Sequence, residues 1–255
     1  MRILITGKNG YIGSSLISKL DSTMGVGRDD FDLTDRESTD NYFKDKYFDV
    51  IIHTAIYGGS RLKEDNNGVL ANNLEMFYNL MANADKFGQL ISFGSGAELN
   101  FPSEPYGLSK AIMWDVIKGN SKLNNIRIFG VFDENELDTR FIKTCLKNYK
   151  NKKPLTIHQN KLFDFIYMDD LVTIVNFIIL NSNIKSIDCC YNESYTLREI
   201  AEYVNTLGNY SCNIKVNDKK LDTPYKGQFV DYKLNLIGLK QGIKNTYKKL
   251  LDEPN

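Results

Sequence analysis

The sequence predicts an α/β protein built on a doubly wound parallel sheet, followed by a small mixed α/β lobe. Three observations predict this. Short apolar runs alternate with segments of helical period as far as about residue 150, the pattern of βα units around a parallel sheet. A glycine-rich turn joins the first apolar run to the first helical segment. At 255 residues the chain suits one large α/β domain, or one such domain with a small lobe.

The elements follow in order. Ile3–Thr6 is the first strand, and residues 11–20 carry apolar side chains at 11, 12, 16, 17 and 20, a helical stripe. A brief strand over Met24–Gly27 leads to a polar turn and a helix over Arg36–Lys46. The spacing then predicts a strand at Asp49–His53, a helix at Asn72–Ala84 and a strand at Gln89–Phe93. Pro105–Lys118 is a helix with proline at its opening, and Ile126–Phe132 a further strand. Beyond residue 150 the pattern loosens. Strands at Leu155–His158 and Phe163–Tyr167 flank a polar turn, and Asp169–Leu180 and Thr196–Leu207 are helical. Thr196 and Glu199 stand at capping-box spacing. Pro224–Phe229 reads as a loop, and Gly238–Leu251 as a closing basic helix. The division of labour expected is a dinucleotide-binding domain over 1–135 and a smaller substrate lobe over 136–255, with the chain crossing between them.

Composition excludes several function classes. Formal net charge is zero, with 32 basic and 32 acidic residues, so no broad basic field is available for nucleic acid or an anionic membrane. No apolar run approaches the roughly 18 residues of a membrane span, and the apolar part of Met1–Thr6 is too short for a secretory signal. The four cysteines (Cys145, Cys189, Cys190, Cys212) lack C-x-x-C or His-rich metal spacing. They read as reduced thiols in a reducing, cytoplasmic compartment, with no metal site; a vicinal Cys189–Cys190 redox switch is the alternative.

Gly7-Lys8-Asn9-Gly10-Tyr11-Ile12-Gly13 lies between the first strand and the first helix. Glycines there let the backbone turn sharply and approach a pyrophosphate, and the helix start offers unpaired N–H groups and the positive end of its dipole. Asn9-Gly10 alone would suggest a hairpin, but the residues that follow have helical period. Sites preferring NAD place a carboxylate at the end of the second strand. Here Arg28 stands about where that acid would be. Arg28, with Lys8, would meet a 2′-phosphate, so NADP(H) is expected over NAD(H).

Tyr106-Gly107-Leu108-Ser109-Lys110 puts a phenol and an ammonium on one helix face. A free tyrosine loses its proton near about pH 10, and an adjacent ammonium favours the phenolate. In the reducing direction the phenol would donate its proton to a carbonyl oxygen as hydride arrives at carbon. Ser95, after the strand at 89–93, would hold the same oxygen. The Y-x-x-x-K spacing also occurs at Tyr42/Lys46 and Tyr149/Lys153, so spacing alone does not choose. Only Tyr106 follows a strand that ends near a serine and opens a proline-led helix.

With these residues in place the chain resembles the extended short-chain dehydrogenase/reductases, the group of nucleotide-sugar epimerases, dehydratases and ketoreductases. The resemblance covers almost the whole chain and implies a Rossmann-like sheet. It implies an adenine contact at Asp32-Leu33, cofactor contacts at Thr54 and Ala55 after His53, and Asn73 opening the helix that positions the catalytic lysine. It places Ile128 and Phe129 of Arg127–Val131 beside the nicotinamide. Phe165–Leu171 resembles the group's F-I-x-V-D-D-L segment. Residues 28–35 and Gly227-Gln228-Phe229 are most similar to the GDP-L-fucose synthase branch, which suggests a GDP sugar. The resemblance also implies a homodimer in which helices near 72–84 and 105–118 form a four-helix bundle, and service to surface polysaccharide synthesis.

Departures from the group's pattern narrow the chemistry. Dehydrating members carry Asp-Glu after the catalytic Ser/Thr; here those positions are Gly96 and Ala97, with Glu98 one residue out of step. Fucose synthases epimerise with a cysteine, here Ala97, and a histidine, here near Arg140; Cys145 lies a turn further on and is expected in the core. What remains is hydride transfer, hence reduction of the C4 ketone of a nucleoside-diphosphate 4-keto-6-deoxy sugar without epimerisation at C3 or C5. Two alternatives stand beside it: a 4-epimerase that retains NAD, and a non-catalytic dinucleotide-binding sensor. Substrate contacts are expected at Gly96, Ala97, Gly130, Arg140, Lys143, His158, Phe163 and Gln228, with Lys152 and Asn160 as further candidates. Phe163 reads equally as an ordinary strand residue.

Overall fold

β1 (Ile3–Thr6) is buried along its whole length, as a strand covered on both faces must be. It pairs in parallel with β2 (Thr23–Val26) on one side and β3 (Phe48–His53) on the other, and β3 pairs in parallel with β4 (Phe87–Ser95). β5 (Leu123–Ile128) and β9 (Ser186–Cys189) complete a six-stranded sheet in the order β2-β1-β3-β4-β5-β9. The computed structural model describes residues 1–59, 64–218 and 220–252. It divides into two compact units, residues 1–127 with 175–187 and residues 128–174 with 188–255.

The first unit's helices connect its strands. α1 (Tyr11–Lys19) follows β1, α2 (Arg36–Phe43) follows β2, and α3 (Asn67–Met81) follows β3. α4 (Ala97–Asn100), a single turn, and α5 (Pro105–Lys118) follow β4. Leu4, Ile51, Phe77, Leu80, Phe87, Leu90 and Leu123 are wholly buried in one cluster. Each such side chain contributes about 1.5–3 kcal/mol by leaving water. The C-terminal ends of β1, β2, β3 and β4 run into Gly7, Gly27, Thr54 and Gly96, and the crevice beyond such ends is where open parallel sheets bind ligands.

In the second unit β6 (Val131–Phe132) pairs in parallel with β8 (Ile166–Tyr167), and β7 (Leu155–Gln159) with β10 (Ile214–Asp218). α6 (Phe141–Lys150), α8 (Leu197–Val204) and α9 (Leu239–Asp252) pack around a core that includes Phe132, Leu146, Tyr149, Leu155 and Ile243. α7 (Met168–Leu180) contains the point where the units divide. Its Asp170 holds the chain ahead of α9, accepting from the Ile237 and Gly238 amides at 2.7 and 3.0 Å and from the Tyr191 hydroxyl at 2.5 Å. Thr196 and Glu199 form the expected capping box at the start of α8.

Several expectations are corrected. α3 starts at Asn67, five residues before the expected Asn72, because Asn66 caps it by accepting from the Gly68 amide at 3.0 Å. Asn73 therefore sits inside the helix and does not open it. The strand expected over Ile126–Phe132 is two, β5 and β6, with the Gly130 carbonyl between them accepting from the Ile166 amide at 2.8 Å. Of the strand expected at Phe163–Tyr167, Ile166–Tyr167 remains, joined by an isolated bridge between Phe163 and Tyr225. α6, β9 and β10 were not expected. All four cysteines are free thiols, three of them buried. Cys145 lies in the second unit's core, where burial pushes its thiol up to about 12. Among the described residues no helix is long and apolar enough to cross a membrane.

Candidate functional site

The glycine turn is fixed by contacts that tolerate no side chain. Gly7 has φ +77°, in the left-handed region, and a Cβ there would lie 2.8 Å from the Ala55 amide nitrogen. A Cβ on Gly13 would fall 2.2 Å from the Gly7 carbonyl oxygen. The turn closes through Gly10 N–H donating to that carbonyl at 2.9 Å. Gly10 then caps α1 and makes no side-chain hydrogen bond of its own; a helix start of this kind offers backbone N–H groups and the positive end of its dipole to an anion. This cradle fits a dinucleotide's pyrophosphate.

Beside it lies a cleft of about 270 Å³ wholly within the first unit. Of the residues expected to contact the cofactor, Gly7, Asn9, Gly10, Arg28, Asp32, Leu33, Thr54 and Ala55 line it. Tyr11, Ile12, Gly13 and Asn73 do not. Val26, Gly27, Phe31, Ile56, Tyr57 and Met76 also line it. Four of these six sit at or just past the ends of β2 and β3, which the parallel-sheet rule would have found; nothing in the spacing marks Phe31 or Met76. Arg28 stands 5.1 Å from the Tyr57 ring centre, a cation over an aromatic face. The Lys8 ammonium, expected to share the phosphate, is instead 2.7 Å from both Asp29 and Asp30. Asp32 spends one carboxylate oxygen on the Thr34 amide and hydroxyl, at 2.9 and 2.8 Å, and these bonds hold it below the usual carboxylate range.

Thr6 couples β1 to the end of β3. Its hydroxyl lies 2.9 Å from His53 Nδ1, and its carbonyl accepts from Thr54 Oγ1 at 2.6 Å. Burial, and then the charge of Lys110, push His53 down to about 3, so the ring is neutral at ordinary pH.

Ser95, Tyr106 and Lys110 come from one corner of the first unit. Ser95 ends β4, buried, with its Oγ accepting from the Ala97 amide at 3.2 Å. Pro105 occupies the first turn of α5, and Tyr106 and Lys110 follow on one face, the ammonium 5.9 Å from the centre of the phenol ring. Lys110 Nζ donates to the Phe93 carbonyl at 2.7 Å, and burial lowers the amine to about 8 against the opposing pull of Glu98. Gly107 allows the close approach of α4. A Cβ there would lie 2.0 Å from the Phe101 carbonyl oxygen and 2.7 Å from that of Ala97. Gly59, at φ +69°, packs against the other side of the Tyr106 ring, where a Cβ would come within 2.9 Å of Cζ.

Asn73 does not reach Lys110. Its amide accepts from Tyr57 N–H at 2.9 Å and donates to the Tyr57 carbonyl at 3.1 Å and to Ser109 Oγ at 3.2 Å. Ser109 in turn donates to the Tyr106 carbonyl at 2.7 Å. Asn73 thus ties the cleft wall to the helix that carries the phenol. Glu98 is buried in an ion pair with Arg127 of β5 and turned toward the sheet.

The remaining expected residues lie in the second unit. Phe129, Phe163 and Tyr225 form an aromatic cluster, Phe163 stacking on Phe165 at 4.5 Å. Phe163 is 2% exposed, so its ring packs as an ordinary core side chain. A Cβ on Gly130 would come 2.7 Å from Phe165, which accounts for glycine there. Ile128 is half-buried beside Phe129. Lys143 donates to the Glu134 carbonyl at 2.5 Å, whereas Arg140, at the cap of α6, is exposed. The Gln228 backbone N–H donates to Asp188 Oδ2 at 2.9 Å, and exposed His158 meets Asn217 at 3.2 Å. Asn160 accepts from the Arg198 amide at 3.0 Å, and Lys152 stands 5.3 Å from the Tyr210 ring centre.

The chain is similar to a CDP-abequose synthase of Yersinia pseudotuberculosis, 22% identical over 89% of this chain and 93% of that protein. A GDP-L-colitose synthase of the same organism is also 22% identical, over 100% of this chain and 99% of its own. Among solved structures, a GDP-mannoheptose C4 reductase from Campylobacter jejuni with NADP bound superposes with a TM-score of 0.82 at 16% identity, covering 98% of each chain, and so shares the fold. A sequence model of the NAD dependent epimerase/dehydratase family matches residues 3–190. By that match, which spans the glycine turn, Ser95, Tyr106 and Lys110, the chain belongs to the NAD dependent epimerase/dehydratase family.

Proposed function

We propose that this protein is an NADPH-dependent oxidoreductase that reduces the C4 ketone of a nucleoside-diphosphate 4-keto-6-deoxy sugar, with GDP as the nucleotide, and neither epimerises C3 or C5 nor dehydrates its substrate. One observation carries the reading. Ser95 at the end of β4 and Tyr106 and Lys110 on α5 are all present, while the neighbouring positions that would move a second proton are Gly96 and Ala97, and Glu98 is paired with Arg127. A 4-epimerase would use the same corner; Arg28, with no acid in its place at the end of β2, favours an exchanging NADPH over a retained NAD.

Bound NADPH supplies the hydride. The protein's own residues do the rest. The Tyr106 phenol hands its proton to the ketone oxygen, and Ser95 Oγ donates a hydrogen bond to the same atom, steadying the charge that develops there. The Lys110 ammonium, anchored on the Phe93 carbonyl, stabilises the phenolate left behind. Residues 1–135 are assigned to the dinucleotide and 136–255 to the sugar nucleotide, with exposed Arg140 the cation for its diphosphate. We infer a cytoplasmic homodimer joined through α3 and α5, which sedimentation tests directly.

The functional test offers purified protein NADPH or NADH with GDP-, CDP- and dTDP-linked 4-keto-6-deoxy sugars and follows nicotinamide absorbance. NADPH loss with the GDP-linked ketone is expected. No cofactor loss with any ketone, accompanied by interconversion of unreduced sugar nucleotides, overturns reduction in favour of epimerisation.

A further inference from the structure

Glu98 and Arg127 form a buried ion pair directly behind the candidate corner, with side chains 1% and 9% exposed. Such a pair gives little net stability, because desolvating two charges consumes most of their attraction. Its surroundings suggest a different use. Glu98 Oε1 meets Arg127 Nε and accepts from Asn125 Nδ2 at 3.3 Å, while Oε2 accepts from the backbone amide of Ser95 at 3.3 Å. The Arg127 guanidinium rests 5.7 Å from the Trp114 ring centre on α5. Gly94 makes room for the carboxylate; a Cβ there would lie 2.9 Å from Oε2. One side chain therefore ties the serine's own backbone to β5.

We propose that Glu98 is a positioning residue for the reduction argued above: held by Arg127, its carboxylate fixes the Ser95 turn and supplies the negative charge that faces the buried Lys110 ammonium. The titratable groups that act on that ammonium through their charge, or feel its charge, are Glu98 from α4 and His53 from β3, with Arg127 of β5 paired to Glu98 and the Tyr106 ring centre 5.9 Å away on its own helix. His53 is neutral above about pH 3. Glu98 draws Lys110 up while burial draws it down, and burial likewise raises Glu98 against the pull of Arg127. Ser95 and Tyr106 touch the substrate in the proposed reaction; Glu98 acts through Ser95 and Lys110.

The test is Glu98→Gln, which keeps the shape and removes the charge, on the full chain. Lysine labelled with ¹³C at Cε is titrated by NMR, the Lys110 resonance being assigned with Lys110→Met. The Lys110 midpoint, about 8 in the parent, is expected to fall by about one pH unit, the low end for a neighbouring charge. The alkaline limb of kcat/KM should move down with it, kcat should drop, and NADPH affinity should stay unchanged. A midpoint and limb that do not move in a folded variant overturn the proposal, whatever happens to kcat. If Glu98→Gln does not fold, the unmutated protein answers. Its Lys110 resonance must shift as Glu98 takes up a proton on acidification, above the range where His53 titrates, and a flat response overturns the proposal equally. The NMR readout needs neither cofactor nor sugar. A moving midpoint in a protein that consumes no NADPH therefore refutes the reduction and upholds the charge coupling.

Discussion

Lys110→Met should make the protein inactive and no less stable. The lysine is buried with its amine at about 8, against 10.5 for an ordinary lysine. At neutral pH the folded state holds a charged ammonium where a neutral group would sit more easily. The shift of 2.5 units (10.5 − 8) corresponds to about 3.4 kcal/mol at about 1.36 kcal/mol per unit. Losing the ammonium leaves the Phe93 carbonyl without its donor, which costs about 1–3 kcal/mol, so the variant should equal or exceed the parent at pH 7. The pH dependence is the sharper signature. Between about pH 8 and 10.5 the unfolded chain binds the proton that the folded chain has released, so the parent gains stability as pH rises through that window. Methionine cannot. Urea unfolding of both proteins without cofactor should therefore show the parent improving relative to the variant by about 2.5 kcal/mol from pH 7 to pH 10. A difference that stays constant with pH, or a variant several kcal/mol weaker at pH 7, would refute a charged, desolvated Lys110.

Other outcomes follow from the same geometry. Gly13→Ala puts a methyl group 2.2 Å from the Gly7 carbonyl oxygen, so the turn must open; NADPH binding by calorimetry should fall at least tenfold, roughly 1.4 kcal/mol or more, with a lower melting temperature. His53 is displaced from 6.5 to about 3 in the folded state. The unfolded chain takes the proton first as pH falls, so this residue withdraws about 3 kcal/mol of stability between pH 7 and pH 4. A ¹⁵N spectrum showing its ring protonated in the native state at about pH 5 would contradict the buried setting. Arg28→Ala should weaken NADPH while sparing NADH, read from the two KM values; equal losses would remove Arg28 as the 2′-phosphate contact.

What was legible in the sequence is what local pattern can carry. Ile3–Thr6 running through Gly7 and Gly10 into a helical stripe announces strand, turn and helix within a dozen residues, and all three form there. Pro105 likewise marks the start of α5 and so places Tyr106 and Lys110 on one face. Contacts between distant residues were not legible. Glu98 and Arg127 are 29 residues apart, and only the fold reveals that the carboxylate turns to the sheet. Lys8 looked like a phosphate ligand because spacing does not show Asp29 and Asp30 closing on it. The resemblance puts Asn73 at a helix start, whereas the cap at Asn66 sets the boundary through a side-chain bond. β10 is half solvated and alternates weakly over Ile214–Asp218, so its pairing with β7 decides its structure more than its composition does.

The central claim is that Tyr106 protonates a ketone oxygen while a single hydride reaches the adjoining carbon. Deuterated NADPH and a 4-keto-6-deoxy sugar nucleotide, incubated in light water and again with label only in the solvent, test it by mass and NMR analysis of the product. The account predicts one deuterium at C4 from the cofactor, none at C3 or C5 from solvent, and loss of at least about a hundredfold in rate for Tyr106→Phe with NADPH affinity intact. Solvent label at C3 or C5, or a Tyr106→Phe variant that turns over normally, would contradict it.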